Sequence, residues 1–90
     1  MSVIIKLNPY LRTVIGDVAE VEVQGSSVGE CIDDLERLFP GIKRLLYADN
    51  GRLLDHIEIY VDSDTAYPGE LARPVRNGDV ITILTLIGGG

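Results

Sequence analysis

The sequence predicts an α+β fold, a mixed sheet of four or five strands with one main helix packed on one face. Two observations carry this. Residues 3–7, 19–24 and 56–62 alternate apolar and polar side chains with a period of two, and a β-branched run follows at 80–87. Only one long stretch, residues 27–39, spaces its apolar residues as a helix does. One helix covers one face of a sheet, which leaves a two-layer arrangement.

Each element has its own signature. Val3, Ile5 and Leu7 share one face of the first strand, and Asn8-Pro9 breaks the run. After a loop around Gly16-Asp17, Ala19, Val21 and Val23 alternate with Glu20, Glu22 and Gln24, which reads as a half-buried strand with an acidic outer face. The two strands are expected to pair as a hairpin with a long connection. Ser27 and Glu30 then have the spacing of a capping box, in which each side chain satisfies an orphan backbone N–H. Val28, Cys31, Ile32, Leu35, Leu38 and Phe39 form the helix's apolar stripe, while Asp33 and Asp34 belong to a solvated face. Pro40-Gly41 ends it.

Residues 42–47 fit one further short turn before Asp49-Asn50-Gly51. Ile57, Ile59 and Val61 make the inner face of the next strand. Residues 63–76, with Pro68-Gly69 and Pro74, read as mostly loop with room for a short helical turn or strand. Asn77-Gly78-Asp79 turns into the final strand. The first and last strands have no helical crossover joining them directly, so they are placed side by side in the middle of a β-grasp sheet. Residues 1–90 are read as one domain, since one core serves roughly 50–200 residues.

Composition narrows the function. The net charge of −6, with eight scattered basic residues, argues against nucleic acid, whose phosphates need clustered Lys and Arg. No apolar stretch approaches the roughly 20 residues that span a bilayer, so no membrane role is expected. A single cysteine and no signal-peptide pattern at the N-terminus fit a cytoplasmic protein.

No conventional active site is legible. Cys31 lies on the apolar stripe, where a thiol is a small core residue and not a nucleophile. His56 is the only histidine and has no partner at metal-ligand spacing. Phosphate-binding and nucleophile-elbow motifs are absent from the sequence.

The last strand says more. Ile81 and Ile83 serve the core, whereas Val80, Leu84 and Leu86 point to the opposite side, where Tyr60 extends the apolar surface. Such a patch marks a partner site, unless residues 63–76 fold over it. The chain then closes Leu86-Ile87-Gly88-Gly89-Gly90. A tail without side chains is thin enough to thread a narrow channel, and from Leu86 it reaches at most ~14 Å. Its carboxylate, with an ordinary pKa near ~3.5, is ionised at neutral pH and inert until activated, most directly by attack on ATP.

The strand order, the turn Asn77-Gly78-Asp79, the run Val80-Ile81-Thr82-Ile83-Leu84 and the diglycine end together resemble the ubiquitin-like sulfur carriers. These are relatives of the molybdopterin synthase small subunit and of the thiamine sulfur carrier. The resemblance spans essentially the whole chain. It is greatest to the sulfur carriers of cysteine biosynthesis, on residues 54–64, around Ile59-Tyr60-Val61, and on Asp79 through Leu84.

The resemblance implies that an E1-like enzyme uses ATP to adenylate Gly90 and that a sulfur donor converts the adenylate to a thiocarboxylate. A sulfur-accepting synthase then takes the sulfur for cysteine, or for molybdopterin or thiamine. Gly88 and Gly89 would thread into the partners, and Tyr60, Val80, Thr82, Leu84 and Leu86 would dock. The chain is then a protein cosubstrate, not an enzyme: monomeric when free, with no catalytic residue, no metal and no permanently bound cofactor. Two departures stand out. Gly88 occupies a position where many members have alanine, and Thr85-Leu86 replaces a region often containing proline. No trimming beyond Gly90 is expected. Two other readings stay open: a modifier conjugated to lysines through the same carboxylate, and a non-covalent β-grasp interaction module.

Overall fold

A computed structural model describes residues 2–86, Val14 by its backbone alone. Ser2–Leu7 (β1) and Glu20–Gln24 (β2) pair antiparallel, with Val3 opposite Val23 and Ile5 opposite Val21. Val80–Thr85 (β5) runs parallel to β1 on its other side, with Ile5 opposite Ile81 and Leu7 opposite Ile83. Ile57–Val61 (β3) is antiparallel to β5, and the two-residue strand Asp64–Thr65 (β4) closes the edge. The order β2-β1-β5-β3-β4 puts the first and last strands at the centre, as the sequence predicts.

Period-two alternation fixes which residues enter the core. Val3, Ile5, Val23, Ile59, Ile81 and Ile83 are nearly or fully inaccessible. The main helix, Val28–Leu38 (α2), adds Val28, Cys31, Ile32 and Leu35 to the same cluster. Burying each large aliphatic side chain stabilises the fold by roughly 1.5–3 kcal/mol. Gly25, just before α2, is where the chain passes closest: a Cβ there would lie 2.9 Å from both the N and the Sγ of Cys31. Lys43–Leu46 (α3) is the expected short turn, and it buries Leu46.

Several expectations are corrected. The β1–β2 connection is not a loop throughout, because Pro9–Val14 (α1) is helical. Asn8 caps it, its side chain accepting the Leu11 N–H at 3.1 Å, and Pro9 stands where a missing N–H costs nothing. Leu11 fills the core beneath. Leu38, assigned to the apolar stripe, is exposed, and its neighbour Phe39 packs against the core in its stead. The cap of α2 is half as expected. Ser27 accepts the Glu30 N–H, but the Glu30 carboxylate accepts from the N–H and hydroxyl of Ser26, each at 2.8 Å, one residue early for a capping box. Asp34 is not simply solvated. It takes the Gln24 N–H at 2.9 Å and Arg37 Nε at 2.8 Å, tying α2 to β2. Asp33 keeps a solvated position in an ion pair with Lys43. Lastly, β5 ends at Thr85 and not at residue 87.

Candidate functional site

The sheet face turned away from α2 is built by the residues the core does not use. Along β5 these are Val80, Thr82 and Leu84, each half-buried. The register sets their neighbours: Val80 lies opposite Ile4, Thr82 between Lys6 and Tyr60, and Leu84 opposite Glu58. Leu86, just past the strand, is 49% exposed. Four of the five docking residues expected from sequence, Val80, Thr82, Leu84 and Tyr60, therefore share one continuous surface. Leu86 continues their alternation, because its N–H donates to the His56 carbonyl at 2.7 Å and extends the β3–β5 ladder.

Charge borders the β5 stripe on both sides, from Lys6 on β1 and Glu58 on β3. On the β2 side, Glu20 is within 4.0 Å of the Lys6 ammonium, and the Ser2 hydroxyl donates to the Glu22 carboxylate. On the β3 side, the Tyr60 hydroxyl donates to Glu58 Oε1 at 3.0 Å. That bond, and the carboxylate charge behind it, push the Tyr60 phenol above its ordinary value. The centre is an apolar stripe, and its rim is mainly carboxylate.

The segment 63–76 does not cover the stripe. It runs on the helix side, where Ala66 and Val75 are buried. The Val28 N–H donates to the Arg73 carbonyl at 2.9 Å, and the Val75 N–H to the Ser26 carbonyl at 3.1 Å. Leu71, in the 3-10 turn Glu70–Ala72, lies over Gly29, where a Cβ would meet its carbonyl oxygen at 3.0 Å. The question left open by the sequence is thereby decided for the described residues.

The turn Asn77-Gly78-Asp79 locks β5 into place. Gly78 has a φ of 89°, which favours glycine, and its N–H donates to the Ser2 carbonyl at 2.8 Å. The Asn77 side chain accepts the Ser2 N–H at 2.9 Å, and Asp79 accepts the Arg76 N–H at 2.8 Å. At the other end, Asn8 uses its backbone N–H on the Ile83 carbonyl at 3.4 Å and its side-chain amide on the Thr85 carbonyl at 3.5 Å. Sequence reading missed Asn8, Ile4 and Lys6 as parts of this surface. The signals were present: Asn-Pro is a cap followed by a first-turn proline, and residues 4 and 6 must face outward if 3, 5 and 7 face inward.

Other candidate chemistry is weak. Cys31 is fully inaccessible, and burial pushes its thiol up to about 11. His56 is exposed. Among the described residues no three His, Cys, Asp or Glu side chains gather as a metal site, and no helix is long and apolar enough to cross a membrane. The tail residues Gly88, Gly89 and Gly90 lie outside the described residues.

Known proteins share this architecture. The sulfur carrier protein CysO of Mycobacterium tuberculosis (strain ATCC 25618 / H37Rv) is 34% identical over 93 residues, across 100% of both chains. Small archaeal modifier protein 1 of Haloferax volcanii is 30% identical over 87 residues, covering 94% of this chain and 97% of its own. A chain of the Amycolatopsis orientalis BexX/CysO complex matches with a TM-score of 0.88 at 36% identity, over 98% of this chain and 99% of that one. The sheet order and its single main helix are those of the ubiquitin-like β-grasp. With a family model matching residues 5–90 and relatives similar over their full length, this chain belongs to the ThiS family.

Proposed function

We propose that the chain is a sulfur carrier whose Gly90 carboxylate is adenylated and then converted to a thiocarboxylate. The carboxylate oxygen attacks the α-phosphate of ATP on an E1-like enzyme, and pyrophosphate leaves. Hydrosulfide, delivered by a sulfur donor, adds to the acyl carbon, AMP leaves with the former carboxylate oxygen, and one proton is released. A partner synthase then uses the sulfur. By the sequence resemblance, cysteine synthesis is the destination we favour.

One observation carries this reading. The central strand β5 carries an apolar stripe, uncovered among the described residues, that reaches through Leu84 to Leu86, two residues before the glycine run in sequence. A partner that grips the stripe receives the tail at a fixed offset. In this reading Tyr60, Val80, Thr82, Leu84 and Leu86 dock, Gly88 and Gly89 thread, and Gly90 carries the sulfur. The 34% identity to CysO, named a sulfur carrier, supports it.

The test is intact-protein mass spectrometry after incubation with ATP, a sulfide source and the organism's E1-like enzyme. The expected product gains the mass difference of one sulfur for one oxygen, localised to Gly90. Deletion of Gly90 abolishes the gain and leaves the fold unchanged. An unchanged mass, with the enzyme shown active on another carrier, overturns the proposal.

The similarity to small archaeal modifier protein 1 favours a second reading, conjugation to lysines through the same adenylate. A ladder of heavier covalent conjugates in cell extracts, lost on deletion of Gly90, would distinguish it.

A further inference from the structure

On the helix side of the sheet, at the β3–β4 edge, lies an open groove of about 740 Å³. Its walls are Leu53 and Leu54 from one segment and Tyr67 and Leu71 from another. The floor includes the edge of β3 from Ile57 to Ile59.

That edge is incompletely paired. In the ladder with β5, Glu58 and Tyr60 direct their backbone groups toward β5, so those of Ile57 and Ile59 point the other way. The Ile57 N–H is used by the Leu54 carbonyl at 3.1 Å, and the Ile59 carbonyl by the Ala66 N–H at 2.9 Å. β4 pairs only with Tyr60 and Val61 and reaches no further. The Ile57 carbonyl and the Ile59 N–H are left without a protein partner among the described residues.

These two groups flank Glu58 in the pattern that one residue of a parallel strand satisfies. That residue donates its N–H to the Ile57 carbonyl and accepts the Ile59 N–H. Charge defines the rest of the ligand. Asp55 and Glu70 line the groove against Arg52, while Glu58 turns its carboxylate to the other face toward Tyr60, so a cationic segment is favoured and an acidic one opposed.

We propose that this edge is a docking slot for an extended segment of a partner protein, running parallel to β3, that places an apolar residue between Leu54 and Tyr67 beside a Lys or Arg. The slot lies on the opposite side of the sheet from the stripe of Leu84 and works independently of Gly90, so its failure leaves the carrier reading untouched.

The experiment uses a displayed library of random twelve-residue peptides panned on the full chain. Synthesised winners are followed by amide hydrogen exchange and titration. In the free protein the Ile59 amide exchanges faster than that of Tyr60, which is bonded within the ladder. Bound winners carry an apolar residue next to Lys or Arg and slow exchange at Ile59. Their affinity falls about tenfold or more on Tyr67→Ala or Glu70→Lys, both at accessible positions, and is unchanged on Leu84→Glu. No enriched peptide, or peptides that leave Ile59 exchange unaltered, overturns the slot.

Discussion

Leu86 and His56 face each other across the last rung of the β3–β5 ladder, joined by a 2.7 Å hydrogen bond from the Leu86 N–H to the His56 carbonyl. The rung lies one residue beyond β5 and one before β3. Leu86 is thereby held to the sheet although half its surface is exposed. It is tied to the sheet two residues before the first glycine of the closing run in sequence.

If the apolar stripe is the docking face, a charge at its end should weaken binding of the adenylating partner. We expect Leu86→Glu to do so by about tenfold or more, since burying an unpaired carboxylate is costly. Leu84→Lys should weaken it similarly while leaving the fold nearly as stable, because the new ammonium faces Glu58. Calorimetric titration with the activating enzyme reads both. Wild-type affinity for both variants would move the interface elsewhere.

Cys31 should play no part in sulfur transfer. Its full burial and raised pKa predict that a thiol reagent at pH 8 labels the native protein slowly and the urea-unfolded protein at once. Cys31→Ala should load sulfur at the wild-type rate. Rapid native labelling would show that α2 opens far more readily than its packing implies.

Gly25→Ala should be destabilising despite its modest size. The added methyl meets the Cys31 backbone N, the Cys31 Sγ and the Glu30 Cβ at 2.9–3.0 Å, so the first turn of α2 must shift. The expected cost is roughly 1–3 kcal/mol in urea unfolding. Cys31→Ala added to it should recover only part, because the backbone contact remains.

Acid should unfold the protein in a definite window. Glu30, Asp34, Glu36 and Asp79 all have pKa values lowered in the fold. For Glu30 the main cause is the Ser26 N–H, and for Asp34 the Gln24 N–H. For Glu36 it is the Lys43 and Gly41 N–H groups, and for Asp79 the Arg76 N–H. A depressed folded-state pKa adds stability above the unfolded value, and that stability is lost as pH falls through the folded one. The melting temperature should therefore hold above about pH 5 and fall below the ordinary values of 3.8 and 4.5. Glu36→Gln should lower stability at pH 7 and flatten the acid limb. Parallel profiles for variant and wild type would contradict this.

Much of the fold was legible because period-two alternation is strong wherever one strand face is buried. Val3, Ile5 and Leu7 declared β1, and Ile57, Ile59 and Val61 declared β3. The helix α1 was not read because a six-residue element is too short for periodicity to show. β4, allowed for as a short strand within residues 63–76, could not be placed for a different reason. Its hairpin turn places Asp62 and Ser63 at φ of 51° and 80°, a conformation usually announced by Asn-Gly, and only two residues follow. Val80, Leu84 and Leu86 could be assigned to the outer face from sequence because they are apolar on the side the core does not need. Their freedom from the segment 63–76 was not readable, since it depends on where Arg73 and Val75 bond to the start of α2.

The parallel pairing of β1 with β5 also governs how the molecule bears load. The two strands carry the beginning and the end of the chain, and they run side by side in the same direction. Tension between the termini, or a pull on the tail by a partner drawing it inward, acts along the strands and stresses the whole β1–β5 ladder in shear. The rungs from Ile4–Val80 to Leu7–Ile83 must then yield together and cannot open one at a time. Load applied along these strands is thereby shared across the whole ladder.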